Sequence, residues 1–268
     1  MIIDGRAIAE DLVASLIAQL PYVSHKSVCF VTLGDNAVSK RFVAVKSAFA
    51  KRLGIEVALV EQECITTSEA LGVITETIAH GYDGIVVQLP LPYGIDTNVI
   101  LDAIPLDQDI DMLGRDAKDA YKRGDTKRLP AVVGAIHEIL THHHIVLAGK
   151  MVVVVGKGRL VGEPVQAYLS HHSIAHTVID IDTESDERSA LLLEADVVIS
   201  GIGVPHSIMP DMVKEGVILI DAGTSEQSGR LVGDIHSDCA SKATLFTPVP
   251  GGVGPVTVAC LFQNVLRK

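Results

Sequence analysis

Lys46 stands four residues after Phe42, so on a helix the two project from one face. Phe42, Val45, Phe49 and Leu53 read as the apolar stripe of that helix. An ammonium on such a stripe is costly to desolvate. The lysine either snorkels to solvent, the commoner fate, or sits in a site that depresses its pKa and lets it manage protons. Gln88 closes an apolar strand and precedes Leu89-Pro90-Leu91-Pro92. Open α/β sheets place ligands at the carboxyl ends of their strands. A glutamine there can orient a neighbouring amine or a substrate carbonyl, and its plainer reading is a satisfied strand-end amide. Asp109 and Asp111 follow Pro105 in a loop that reads most simply as a solvated turn. His142-His143-His144 suggests a metal, but adjacent helical positions point apart, so a solvated helix end is expected and no metal site.

Two glycine-rich stretches carry the rest of the candidate chemistry. Gly156, Gly158 and Gly162 form GxGxxxG directly after the apolar run Met151–Val155. Between a buried strand and a helix, such a loop brings backbone N–H groups and a helix N-terminus to a pyrophosphate. The alternative is a tight strand-to-helix turn. Thr247–Thr257 holds three prolines and three glycines in eleven residues, a rigid irregular loop of the kind that lines a ligand with backbone or merely precedes a helix. Pro255 suits the first turn of a terminal helix over Val256–Leu266.

The elements that must hold these groups alternate. Ile8, Leu12, Leu16 and Leu20 predict a first helix, stopped by Pro21. Val28–Leu33 is a strand, and a helix runs from near Ser39 to Gly54. Glu56–Val60 is a strand, and Thr66 with Glu69 has capping-box spacing for a helix to Gly81. Gly84–Gln88 is a third strand, and a helix from Asp96 ends before Pro105. Arg115–Arg128 is charged and poor in apolar residues, so it reads as a surface connection. A helix follows over 131–144, then buried strands at Met151–Val155, Thr177–Ile181, Val197–Ser200 and Val217–Asp221. Strands alternating with helices predict two α/β units with parallel sheets, the second doubly wound.

Composition narrows the partners. A net charge of −11 opposes a nucleic-acid surface, and with 4% aromatic residues stacking platforms are scarce. No run reaches the length of a membrane span, and the N-terminus lacks signal-peptide features. The four cysteines are far apart and form no CxxC, which fits a reduced, cytoplasmic setting.

In order along nearly the whole chain, these segments resemble the methylenetetrahydrofolate dehydrogenase/methenyltetrahydrofolate cyclohydrolase family. The family's tyrosine-valine-x-x-lysine helix appears as Phe42-Val43-Ala44-Val45-Lys46, and its VQLPLP strand end as Val87–Pro92. Its KDVDG loop appears as Gln108-Asp109-Ile110-Asp111-Met112, its GRSxxVGxP turn as Gly156–Pro164, and its LVGDV segment as Leu231–Ile235. Its TPVPGGVGPMT loop is present with Val256 for methionine. The resemblance implies two α/β domains with a cleft between them: a catalytic domain of 1–112 plus 250–268 and a Rossmann-like dinucleotide domain of 113–249. It implies oxidation of 5,10-methylenetetrahydrofolate with NADP and hydrolysis of the methenyl product. Carried over by position, Lys46 is catalytic, Gln88 bonds it, Asp111 binds the pterin edge and Phe42 stacks on the folate. Pro250, Gly251 and Gly252 would line the cleft. Gly156, Lys157, Gly158, Arg159, Gly162, Asp180 and Thr224 would hold the cofactor. A homodimer is implied as well.

The chain departs from the family at Phe42, at Met112 in place of glycine, at Pro130-Ala131-Val132-Val133 in place of PCTP, and at Lys157-Gly158 in place of arginine-serine. A relative that has lost one activity, or that only binds folate or nucleotide, is the alternative these changes leave open. The end of the second nucleotide-domain strand reads Ile179-Asp180-Ile181-Asp182, with Asp180 lying 24 residues past Gly156. An acid there accepts from a ribose 2′-hydroxyl and repels a 2′-phosphate. Lys157 and Arg159 pull the other way, so NAD use alongside NADP is expected.

Overall fold

Strand β1 (Ser27–Leu33) buries almost every side chain, as a strand covered on both faces must. In the computed structural model, which describes residues 1–19, 25–124 and 127–266, its alternate residues feed two separate cores. Val28 and Phe30 pack with Val13 and Leu16 of α1 (Gly5–Gln19), Val43 and Leu53 of α2 (Ala37–Arg52), and Phe262. Cys29, Val31 and Leu33 pack on the other face with Ala70 and Ile74 of α3 (Thr67–Ala79) and with Ile100 and Leu101 of α4 (Thr97–Asp102). Strands β2 (Glu56–Gln62) and β3 (Gly84–Val87) flank β1 in parallel, giving the order β2-β1-β3.

The stretch expected as a charged connection instead forms helix α5 (Arg115–Arg123), which buries Ala117, Ala120 and Tyr121. Three residues at i, i+3 and i+4 make one narrow apolar face, and alanine favours the helix. Gly124 stops it at φ 71°, a left-handed cap that glycine adopts cheaply. Residues 125–126 of that stretch, like Leu20 and Pro21 of the first-helix prediction, lie outside the described residues.

After α6 (Ala131–His142) comes β4 (Val152–Val155), four valines buried on both faces. Then follow α7 (Gly162–His171), β5 (His176–Ile179), α8 (Ser185–Glu194), β6 (Val197–Ser200) and β7 (Ile218–Asp221). A small antiparallel pair, β8 (Ser225–Gln227) with β9 (Arg230–Val232), precedes β10 (Leu245–Phe246) and α9 (Val253–Leu266). The five-stranded sheet is parallel, in the order β10-β7-β6-β4-β5. Read from β5 this is the doubly wound order 2-1-3-4-5, whose switch point lies between β4 and β6. The segment expected as a buried strand at 177–181 is the edge strand β5; its side chains are mostly half-exposed and Ile181 lies beyond it in solvent.

The chain divides into two compact units, Met1–Asp11 with Val132–Thr257 and Leu12–Ala131 with Val258–Lys268. These boundaries differ from 1–112 plus 250–268 against 113–249, for physical reasons. Ile2 bridges to Phe246, and the Met1 amino group donates to the Thr244 carbonyl at 2.8 Å, which ties the N-terminus to the β10 edge. Gly5 N donates to the Gly251 carbonyl at 2.8 Å, holding 250–257 in the same unit. Residues 113–131 stay with β1–β3 through Gly114 N, which donates to Asp109 Oδ2 at 2.8 Å, and through Ala131 in the core beside Phe262. Among the described residues no helix is long and apolar enough to cross a membrane.

Candidate active site

The inward line of α2 is Val43, Lys46, Ala50 and Leu53, not the stripe through Val45, which is 58% exposed. Lys46 therefore takes a core-facing position at helical spacing and does not snorkel freely to the surface. Its Nζ donates to Gln88 Oε1 at 3.1 Å. Gln88 is fixed in turn, since its N donates to the Val31 carbonyl at 2.8 Å and its Nε2 to the Leu89 carbonyl at 3.1 Å. The pair sits at the carboxyl ends of β1 and β3, where the order 2-1-3 reverses and open sheets bind ligands. Phe42, half-buried, lies one helical turn before Lys46. Burial pushes the Lys46 pKa down, and the Asp111 charge works against that shift.

Asp111 is positioned by its neighbours. Ile110 is fully buried, and its carbonyl accepts from Asn264 Nδ2 at 3.0 Å. A Cβ at Gly84 would meet Ile110 Cδ1 at 2.8 Å, so glycine there makes room for the plug. Asp109, expected in a solvated turn, is 2% exposed. Its carboxylate accepts from Met112 N and Gly114 N, both at 2.8 Å, and Arg128 clasps the same loop through the Asp109 and Leu106 carbonyls. Burial raises the Asp109 pKa to about 6. Asp111 itself makes no hydrogen bond or ion pair among the described residues; burial raises its pKa and the Lys46 charge lowers it. From the sequence Asp109 reads only as part of a solvated turn, and Asn264 is not singled out. The amides Gln263 and Asn264 inside the otherwise apolar run Val258–Leu266 are the signal that could have found it.

The glycine loop stands in the other unit, after β4. Gly156 has φ 101°, and a Cβ there would meet Ile202 Cγ2 at 2.6 Å. A Cβ at Gly162 would meet the Gly156 carbonyl oxygen at 2.1 Å, and one at Gly201 the Val161 side chain at 2.3 Å. The loops after β4 and β6 thus close on each other at the switch point, with the side chains of Ile202 and Val161 set against glycine backbone. No side chain caps the N-terminus of α7, which leaves its first backbone N–H groups without a side-chain acceptor there. Gly158 and Lys157 are exposed and Arg159 is half-buried. Lys157 forms an ion pair with Asp180, just past β5. Thr224 is exposed in the segment after β7. Beneath these loops lie two buried carboxylates. Asp234 accepts from Ser200 Oγ at 2.7 Å, Ile202 N at 2.8 Å and Val204 N at 2.9 Å, and Asp221 accepts from Gly223 N, Asp234 N and Ile235 N. Pro250, Gly251 and Gly252 belong to this unit, where Gly252 N donates to the Pro248 carbonyl at 2.7 Å.

A 2-1-3 sheet ending in a lysine–glutamine pair, and a doubly wound sheet ending in a glycine cradle, define a two-domain nucleotide-dependent enzyme class. Residues 3–111 match the catalytic domain, and residues 130–268 the NAD(P)-binding domain, described as tetrahydrofolate dehydrogenase/cyclohydrolase. The chain belongs to that family. It is 36% identical to the bifunctional protein FolD of Mycoplasmopsis synoviae (strain 53), over 99% of this chain and 98% of the relative. The crystal structure of bifunctional FolD from Campylobacter jejuni superposes with a TM-score of 0.92 at 31% identity, covering 99% of this chain and 97% of that one. A Trypanosoma brucei FolD structure, complexed with NADP cofactor and inhibitor, gives 0.92 at 30% identity, covering 100% and 96%.

Proposed function

We infer that this protein oxidises 5,10-methylenetetrahydrofolate with NADP and hydrolyses the resulting 5,10-methenyltetrahydrofolate to 10-formyltetrahydrofolate. The observation that carries the reading is the Lys46–Gln88 hydrogen bond at the switch point of a sheet whose sequence matches the family's catalytic domain. Folate binding is assigned to the unit containing Lys46 and dinucleotide binding to the unit containing Gly156.

A nicotinamide nucleotide, held by its pyrophosphate in the glycine cradle, would supply the hydride acceptor. Gly156, Gly158 and Gly162 would hold its pyrophosphate, and Lys157, Arg159, Asp180 and Thr224 would meet the rest of the nucleotide. Oxidation then rests largely on positioning. Phe42 offers a ring for the folate to stack on, and Asp111 offers unpaired carboxylate oxygens to the polar edge of the pterin.

For hydrolysis, water attacks the methenyl carbon and loses one proton; the bond from that carbon to N5 then breaks, the second water proton passes to N5, and the formyl group stays on N10. Burial pushes the Lys46 pKa down, which favours its neutral amine relative to an exposed lysine, and that amine takes the first proton. The Gln88 carbonyl keeps the amine aimed and, being uncharged, does not lock it as ammonium. Phe42, Met112 and the Pro130–Val133 replacement leave the Lys46–Gln88 contact in place.

A spectrophotometric assay tests the function directly. Methylenetetrahydrofolate with NADP is expected to give the methenyl product, and methenyltetrahydrofolate is expected to disappear faster than in buffer. A purified protein that does neither overturns the reading. We further take the protein to be a cytoplasmic homodimer that does not bind nucleic acid, on the resemblance and on the net charge of −11. A monomeric mass by light scattering would contradict the dimer.

A further inference from the structure

Two opposite charges meet at the corner of the nucleotide unit where the adenosine ribose would lie. Lys157 follows β4, Asp180 follows its neighbour β5, and their side chains form an ion pair. Asp180 is the fixed member. Its Oδ1 accepts from Asp182 N at 3.0 Å and from Thr183 Oγ1 at 3.2 Å, while its own N donates to Thr183 Oγ1 at 3.0 Å. Its side chain is 14% exposed; that of Lys157 is 62% exposed and free to swing on its stem. The bond from Lys157 holds the Asp180 carboxyl below its usual range, so the acid is ionised at neutral pH.

An acid at the end of the second strand of a doubly wound sheet accepts from the ribose 2′-hydroxyl, whereas a 2′-phosphate needs a cation there. Here both groups occupy the corner and neutralise each other. We propose that the Lys157–Asp180 pair reads the ribose 2′ position in both directions. Asp180 accepts from the 2′-hydroxyl of NAD while Lys157 stays paired, and Lys157 turns to the 2′-phosphate of NADP, leaving the Asp180 charge close to that phosphate. NADP binding gives up an existing ion pair and gains a like-charge neighbour, so the protein discriminates weakly between the two nucleotides. The inference rests on the nucleotide role proposed above.

Isothermal titration of the purified protein with NAD and with NADP, without folate, tests it apart from turnover. In the wild type the two dissociation constants are expected within about tenfold of each other. Asp180→Asn keeps an acceptor for Thr183 and Asp182, so the loop should hold and the melting temperature should not move. It is expected to tighten NADP by at least about fivefold and to weaken NAD about threefold. Lys157→Met is expected to weaken NADP by about tenfold and to leave NAD within about twofold. A wild type that prefers NADP by more than about a hundredfold, with a ratio unmoved by Asp180→Asn, overturns the inference and leaves the nucleotide role standing. Equal weakening of both nucleotides by Lys157→Met also overturns it. Failure of either nucleotide to bind the wild type removes the nucleotide role and the inference together.

Discussion

Lys46 Nζ donates to Gln88 Oε1 over 3.1 Å, joining the middle of α2 to the end of β3. Lys46→Met keeps the buried stem and removes the group that handles protons. Hydrolysis of methenyltetrahydrofolate is expected to fall by roughly two to four orders of magnitude, the span of general acid–base catalysis. Because burial depresses the Lys46 pKa, the base form grows in below the ordinary lysine range. Wild-type hydrolysis should therefore rise with pH and level off, whereas the variant shows no such rise. A variant that hydrolyses like the wild type removes Lys46 from the mechanism.

Gln88→Glu replaces a neutral acceptor with a charged one at the same atom. A carboxylate against Lys46 stabilises the ammonium and raises its pKa. The rise of hydrolysis should move to higher pH, with a loss of about ten- to a hundredfold at neutral pH that alkali partly restores. A pH profile superimposable on the wild type shows that Gln88 does not tune Lys46.

Gly162→Ala tests the cradle. The added Cβ would meet the Gly156 carbonyl at 2.1 Å, so backbone rather than a flexible side chain must shift. Nucleotide affinity is expected to drop by about tenfold or more, because a misplaced loop no longer aims its N–H groups. Isothermal titration with NADP reads the loss, and circular dichroism checks the fold. Unchanged affinity in a folded variant means that the pyrophosphate does not sit on this loop.

The sequence was informative where physics is local. The capping box at Thr66 is present, with Glu69 N donating to Thr66 Oγ1 at 3.2 Å and the Glu69 carboxylate accepting from Thr66 N at 3.1 Å. Four consecutive valines could only be a strand buried on both faces, and β4 is one. It was less informative where burial depends on distant partners. The inward face of α2 runs through Val43 and Ala50, because the packing of Phe49 on Phe262, with ring centroids 5.5 Å apart, sets its rotation. Nothing near Val45 signals that. Helix α5 hid because six of its nine residues are charged, so its apolar face is only Ala117, Ala120 and Tyr121. Lys46 and Gln88 are 42 residues apart, and only the resemblance brought them together before the fold did.

Asp221 links stability to pH. Burial pushes its pKa up to about 7; three backbone donors work against that rise and the charge of Asp234 adds to it. The folded protein therefore holds this proton more tightly than the unfolded chain, whose value is the ordinary 3.8. The stabilisation is fully present below the unfolded value and is lost as pH rises through about 7. Urea unfolding of the wild type and of Asp221→Asn across that window should show wild-type stability falling relative to the variant, by on the order of 2–4 kcal/mol. The comparison uses the slope, since the variant also loses a hydrogen bond at every pH. A constant difference between the two curves contradicts the assignment.

Met112 carries a strained backbone and a buried side chain together. Its φ is 57°, in the left-handed region, and it is 1% exposed. The family's glycine at this position would adopt that backbone without strain. Two terms then oppose each other in any substitution. Removing a buried methionine side chain costs about 2–5 kcal/mol, and relieving a left-handed non-glycine residue returns about 1–2 kcal/mol. Met112→Ala loses the packing and keeps the strain. Met112→Gly loses the packing and sheds the strain, although added freedom in its unfolded chain takes back part of the gain. Both variants are expected to be less stable than the wild type, with glycine more stable than alanine by about 1 kcal/mol. Urea denaturation of the three proteins at one pH gives the order. If alanine equals or exceeds glycine, the left-handed turn between Asp111 and Leu113 is not what holds the aspartate loop in place.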